Sequence, residues 1–174
     1  MVRKGLILIS DDERRTLIEE TLHLLLQDFG EDLIGVVVFG SVARGKETPE
    51  SDVDLLVVSG SFSESLSDRM DQLVKILMQL ESTEQHGKMR RKGINTWIQF
   101  HPLNPDEARL YRPIYLDIVE DGIIIYDRDE FMETILTNLK RKLEELGARR
   151  IFLRDGSWYW DLKPDVQQGE VVEV

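Results

Sequence analysis

Two uninterrupted apolar stretches, Leu33–Phe39 and Val53–Val58, most constrain what this chain can fold into. Each is rich in β-branched residues and reads as a buried central strand. Between them lies Gly40-Ser-Val-Ala-Arg-Gly-Lys-Glu-Thr-Pro-Glu-Ser-Asp-Val-Asp54. The first strand therefore runs into a Gly-Ser turn, a short basic helical piece follows, and the second strand opens with two aspartates one residue apart. Period-two geometry puts Asp52 and Asp54 on the same face of that strand. Two parallel carboxylates build a core badly and hold a divalent cation well. The Gly40-Ser41 turn offers backbone N–H groups and a hydroxyl to a phosphate.

A chain of 174 residues is long enough for one domain with a real core, or a core domain and a modest appendage. The absence of cysteine excludes disulfides and thiolate metal sites and fits a cytoplasmic setting. No apolar run approaches the roughly 20 residues that span a bilayer, and the apolar part of the N-terminus is too short for a signal peptide. With 22 basic against 33 acidic side chains the net charge is −11, which disfavours broad nucleic-acid binding.

Along the chain, helix and strand alternate. Asp11 or Asp12 caps a helix striped by Leu17, Ile18, Leu22, Leu25, Leu26 and Phe29, ended by Gly30. Leu66, Met70, Leu73, Val74, Leu77 and Leu80 stripe a second long helix. Residues 81–93 are polar and basic and read as a solvated loop, with Lys88-Met-Arg-Arg-Lys92 available to a phosphate or RNA acceptor. Ile94–His101 alternates as a strand, with Asn95, Trp97, Gln99 and His101 on one face, until Pro102 and Pro105 stop it. A short helix from Asp106, a helix at Ile114–Val119, a strand at Ile123–Tyr126 and a last long helix to Leu146 follow. The tail reads as a hairpin turning at Asp155-Gly156, with Trp158, Tyr159 and Trp160 packing on the core or a partner. The subdivision is a core at 1–127 and an extension at 128–174.

Either half of the 40–54 segment alone would be an ordinary turn. Together, between two apolar strands, they describe a metal–phosphate pocket, and the chemistry that needs both is nucleotidyl transfer. Gly40-Ser41-x-Ala43-Arg44-Gly45 followed by Ser51-Asp52-x-Asp54-Leu55 resembles the signature of the DNA polymerase beta nucleotidyltransferase superfamily, and within it the minimal nucleotidyltransferase proteins of prokaryotes. The resemblance extends through Glu120-Asp-Gly-Ile-Ile-Ile-Tyr126. It implies an α+β fold: a mixed, mainly antiparallel sheet with helices packed on one face, here extended by a C-terminal helix and β-hairpin. It implies that Gly40 admits the triphosphate, that Ser41 donates to it, that Arg44 helps neutralise it, and that Asp52 and Asp54 hold Mg²⁺ or Mn²⁺. It further implies a nucleoside triphosphate substrate, ATP for choice, and a small helical HEPN-type partner for which the chain is the antitoxin. A homodimer through the aromatic hairpin is a further expectation.

One departure stands beside the match. Active members of the superfamily carry a third carboxylate on a later strand beside the Asp-x-Asp strand. That strand should be Ile94–His101, whose site-facing residues include Trp97, Gln99 and His101 and no acid. His101 could serve as a base, and Asp117 or Glu120 could reach in from the following helix. Two readings therefore run together: an enzyme that moves AMP from ATP to a protein or small acceptor, and a nucleotide-binding module that neutralises its partner by contact. A sugar or antibiotic nucleotidyltransferase would need a larger acceptor domain than 128–174.

Overall fold

The computed structural model describes residues 2–167. Seven strands and seven α-helices follow in the order β1 (Arg3–Lys4), α1 (Asp12–Phe29), β2 (Leu33–Phe39), α2 (Gly40–Arg44), β3 (Val53–Ser59), α3 (Leu66–Leu80), α4 (Glu84–Arg91), β4 (Ile98–Leu103), α5 (Pro105–Arg109), α6 (Ile114–Asp121), β5 (Ile123–Asp127), α7 (Phe131–Glu145), β6 (Arg149–Phe152) and β7 (Trp158–Asp161). Five strands form one sheet in the order β1-β5-β2-β3-β4, and β6 and β7 pair separately as a hairpin. The large sheet is mixed as expected, but its pairings divide evenly. β1–β5 and β3–β4 are parallel, whereas β5–β2 and β2–β3 are antiparallel.

Helices cover both faces of the sheet, where the resemblance implied one. Val36 and Val38 of β2 and Val53, Leu55 and Val57 of β3 pack with Leu17, Ile18 and Leu25 of α1, Leu73, Ile76 and Leu80 of α3, and Met89 of α4. The alternate residues Val37, Phe39, Leu56 and Val58 pack with Tyr115, Leu116, Ile118 and Val119 of α6 and Met132, Leu136, Leu139 and Leu143 of α7. This is what an unbroken apolar strand means: side chains of both parities need a dry neighbour. At Gly35 the backbone of β2 comes so close to α7 that a Cβ would lie 2.6 Å from Met132 Cγ.

Two elements differ from the expectations. Residues 81–93 are not a free loop, because α4 occupies 84–91, capped by the Thr83 hydroxyl, which accepts the His86 N–H. Met89 is its one large buried apolar residue, so the hydrophobic period that marks a helix is missing. Polar bonds replace it: Gln85 donates to the Glu13 carboxylate and carbonyl at 2.9 and 2.8 Å, and His86 meets the Thr96 hydroxyl at 2.8 Å. Strand β4 starts later than expected and runs through Pro102. It is an edge strand, where the missing N–H of proline costs no ladder bond on the open side.

Glu13 is the clamp between α1 and α4. Lys92 and Lys88 both pair with it, Lys88 at 3.2 Å, and with Gln85 they pull its pKa from 4.5 down to about 2. A carboxyl with a depressed folded pKa stabilises the fold fully above its unfolded value and loses that contribution as pH falls through the folded one. Thermal melts across that interval should therefore drop less steeply with falling pH for Glu13→Gln than for the native chain.

Candidate functional site

The antiparallel pairing of β2 with β3 sets Phe39 directly opposite Asp54, so the turn that leaves β2 faces the carboxylates that enter β3. Gly40 takes a φ of 71°, and a Cβ on it would overlap the Asp54 Oδ2. Both facts demand glycine here: the backbone is left-handed, and the carboxylate lies against its Cα. α2 then carries Ser41, half-buried, and ends at Gly45 in the left-handed conformation, with the Lys46 N–H bonded to the Ser41 carbonyl at 3.0 Å. Asp52 sits one residue ahead of the β3 ladder, half-buried.

The parallel pairing of β3 with β4 sets Gln99 beside Asp54 and brings His101 onto the same face two residues further along. The His101 ring meets Phe39 edge-on at 5.0 Å. Its Nε2 is buried without a hydrogen bond and lies 3.8 Å from Asp54 Oδ1. Trp97, 58% exposed, stands at the edge of the site, and its carbonyl accepts the Val53 N–H at 3.0 Å. Gly40, Asp54, Gln99 and His101 thus come together at one end of the sheet.

The two acids expected to reach in from α6 are engaged elsewhere. Asp117 Oδ1 accepts the indole N–H of Trp158 at 3.0 Å and that of Trp160 at 3.2 Å. Glu120 lies 3.9 Å from Lys140. Among the described residues no set of three or more His, Asp or Glu side chains is arranged to hold a metal ion. The donors at the start of β3 are two carboxylates, which suits Mg²⁺, an ion commonly held by one or two carboxylates together with substrate phosphates. Arg44 makes no ion pair with a described carboxylate; its guanidinium carbon lies 4.9 Å from the Trp158 ring. Of the basic run, Lys88 and Lys92 are folded back onto Glu13, and Arg90 lines a cavity of about 190 Å³ with Asn95 and Trp97.

Arg14 is the residue that the sequence reading passed over. Only 2% exposed, it donates to the Thr48 and Ser51 carbonyls at 2.6 and 3.0 Å and to the Asp11 carboxylate at 2.7 Å. The same loop is closed by Ser51, which accepts the Thr48 N–H at 2.9 Å, and held from the far side by Asn95, which donates to Pro49 and Glu50 carbonyls at 2.7 and 3.0 Å. The loop that delivers Asp52 is therefore fixed from two directions. A signal was present: Arg14 lies in phase with Leu17, Ile18, Thr21 and Leu25, the buried face of α1.

A glycine turn laid against an Asp-x-Asp strand on a mixed α+β sheet defines a nucleotidyl-transfer fold. The family model for the nucleotidyltransferase domain matches residues 18–124, and the chain belongs to that family of transferases. It is 34% identical over 126 residues to the "Putative protein adenylyltransferase MJ1305" of Methanocaldococcus jannaschii, covering 71% of this chain and 79% of the relative. Among solved structures, it is similar to a toxin–antitoxin with AMP-PNP (16% identity, 74% of this chain and 92% of the other, TM-score 0.46). A second is a tri-AMPylated Shewanella oneidensis HEPN toxin in complex with MNT antitoxin (14% identity, 75% and 92%, TM-score 0.42). No helix among the described residues is long and apolar enough to cross a membrane.

Two substitutions probe the local construction. Gly40→Ala should lower the unfolding free energy by about 1–2 kcal/mol, the cost of a Cβ in left-handed backbone, and displace the Asp54 carboxylate. Arg14→Met should cost about 3 kcal/mol by stranding buried carbonyls. Urea denaturation measures both, and amide hydrogen exchange at residues 47–53 should quicken more in Arg14→Met than in Gly40→Ala.

Proposed function

We propose that the chain transfers a nucleoside monophosphate, AMP from ATP, to a hydroxyl of a protein acceptor, releasing pyrophosphate. The observation that carries this reading is the close approach of Asp54 to Gly40, which sets the carboxylate of β3 against the left-handed glycine turn that leaves β2. Support for a protein acceptor is the 34% identity to a relative named as a protein adenylyltransferase.

In this reading Gly40 and Ser41 bind the triphosphate, the glycine by letting backbone approach it and the serine by donating its hydroxyl. Asp52 and Asp54 would hold Mg²⁺ or Mn²⁺, which would supply positive charge to offset the charge developing at the α-phosphate. Arg44 contributes positive charge at the β- and γ-phosphates. Arg14 and Asn95 keep the 48–51 loop rigid, so the two acids are in place before substrate arrives. Preorganised charge and alignment supply most of the acceleration in such displacements. The partner is a small helical protein of HEPN type, in keeping with the assemblies formed by the similar solved structures.

A second reading is favoured by one specific observation. Gln99 occupies the position beside Asp54 where a third acid would stand, and Asp117 is committed to two indoles. On that reading the chain keeps the nucleotide site, turns over weakly and neutralises its partner by contact.

Incubation with α-labelled ATP and Mg²⁺ or Mn²⁺, with and without a HEPN-type partner, separates the two. Label should move to the partner, and Asp52→Asn plus Asp54→Asn should abolish transfer. Transfer that survives the double substitution would sink the proposed site. Metal-dependent ATP binding without transfer to any acceptor would favour the contact reading.

A further inference from the structure

The hairpin of β6 and β7 is latched against α6. Asp117 on α6 accepts both indole N–H groups of β7, from Trp158 and Trp160. Asp121, one turn further along α6, pairs with Arg150 of β6 at 2.5 and 3.3 Å. Arg150 in turn lies 5.0 Å from the Phe152 ring and 5.3 Å from the Trp158 ring. Three side chains of a two-stranded ribbon are thus tied to one helix. A two-stranded hairpin is marginal by itself, so this docking is what gives it a fixed place. The same Trp158 ring faces the Arg44 guanidinium at 4.9 Å.

We infer that Trp158 is a positioning residue for nucleotide binding, holding Arg44 in place through a cation–π stack while Asp117 holds Trp158. The physical argument concerns what kind of partner an arginine is given. A carboxylate would fix the guanidinium and also cancel its charge. An aromatic face fixes it and leaves the charge and the in-plane N–H donors free for an anion. Arg44 lies in the segment between the Gly40-Ser41 turn and Asp52, and no described carboxylate competes for it. The carboxylate in this arrangement is one residue removed: Asp117 is spent on indole N–H groups, so its charge orients the ring and does not pair with Arg44. The hairpin thereby completes the phosphate side of the site from outside the 18–124 segment that defines the family. Tyr159, between the two tryptophans on β7, is exposed and takes no part in the latch.

The inference rests on the phosphate role given to Arg44 under the proposed function, and the test keeps the two apart. The probe is the α,β-methylene analogue of ATP with Mg²⁺, and the readout is its dissociation constant by calorimetry. Arg44→Ala should weaken binding about tenfold, the scale of losing a charge-assisted hydrogen bond. Trp158→Leu should weaken it about threefold to fivefold, the scale of an exposed cation–π contact. The double variant should bind no more weakly than Arg44→Ala alone, because Trp158 acts through Arg44. Trp158→Phe, which keeps a ring, should recover part of the loss. Binding unchanged in Trp158→Leu while Arg44→Ala weakens it, or losses that multiply in the double variant, would overturn the inference. If neither single change matters while Asp52→Asn plus Asp54→Asn abolishes binding, the site stands and the positioning role falls. Binding indifferent to the paired aspartate changes as well would remove the nucleotide site itself. Circular dichroism melts of each variant confirm that the folded protein is being compared; should Trp158→Leu not fold, Asp117→Ala, which releases the latch and leaves both partners intact, takes its place with the same expected weakening.

Discussion

Everything at the sheet's working end depends on one backbone pairing, that of Phe39 with Asp54 across the β2–β3 ladder. Antiparallel register carries the chain out of β2 and into β3 at the same level. The turn and the acids, separated by a dozen residues of loop and short helix, are therefore brought face to face by main-chain bonds alone. A slip of one residue would turn Asp54 toward α1 and α3 and send Leu55 toward Gly40. The apolar continuity of both strands guards against such a slip less than alternation would, because either parity could be buried. Discrimination falls to the ends of the strands, where an acid on the wrong face would lie in a dry layer and Gly40 would lose the one neighbour that requires it to be glycine.

The loop at residues 48–51 is held by polar groups of the elements around it. Arg14 is nearly inaccessible and spends its donors on main-chain carbonyls of the loop before Asp52. Asn95 does the same from the other side. Loops that carry ligands tend to be mobile; this one is wired to α1 and to the approach of β4, a means of paying for order in the native state that is independent of substrate.

Much of this was legible in the sequence, and the gaps have specific causes. β2, β3, α1, α3 and α7 announce themselves through long apolar runs or clean helical stripes, and the observed bounds fall within a few residues of the expected ones. α4 was illegible because its inner face is Gln85, His86 and Met89, stabilised by bonds to Glu13 and Thr96 that no periodicity encodes. β4 was displaced because Asn95 and Trp97 alternate like strand residues while serving as ties to the 49–53 segment, and because Pro102 stops a strand only where its N–H is needed. The cover on the second face of the sheet was written in the uninterrupted valines of β2, which leave neither parity for water. Asp117 was legible only as an acid that could reach in from its helix; that two tryptophans about forty residues later consume it is information held only in three dimensions.

Arg3 donates to the carbonyl of Ala43, inside α2, and to the carbonyl of Asp121, at the end of α6. Three segments far apart in the chain meet at that one guanidinium. During synthesis the first of these contacts is available as soon as α2 has emerged, whereas the second waits for α6, and the hairpin latch waits longer still. The acids and the glycine turn can therefore assemble early, on local strand pairing, while the surroundings of Arg44 are finished last. A nascent chain would thus set the Gly40 turn against Asp54 before the hairpin could bring Trp158 to Arg44.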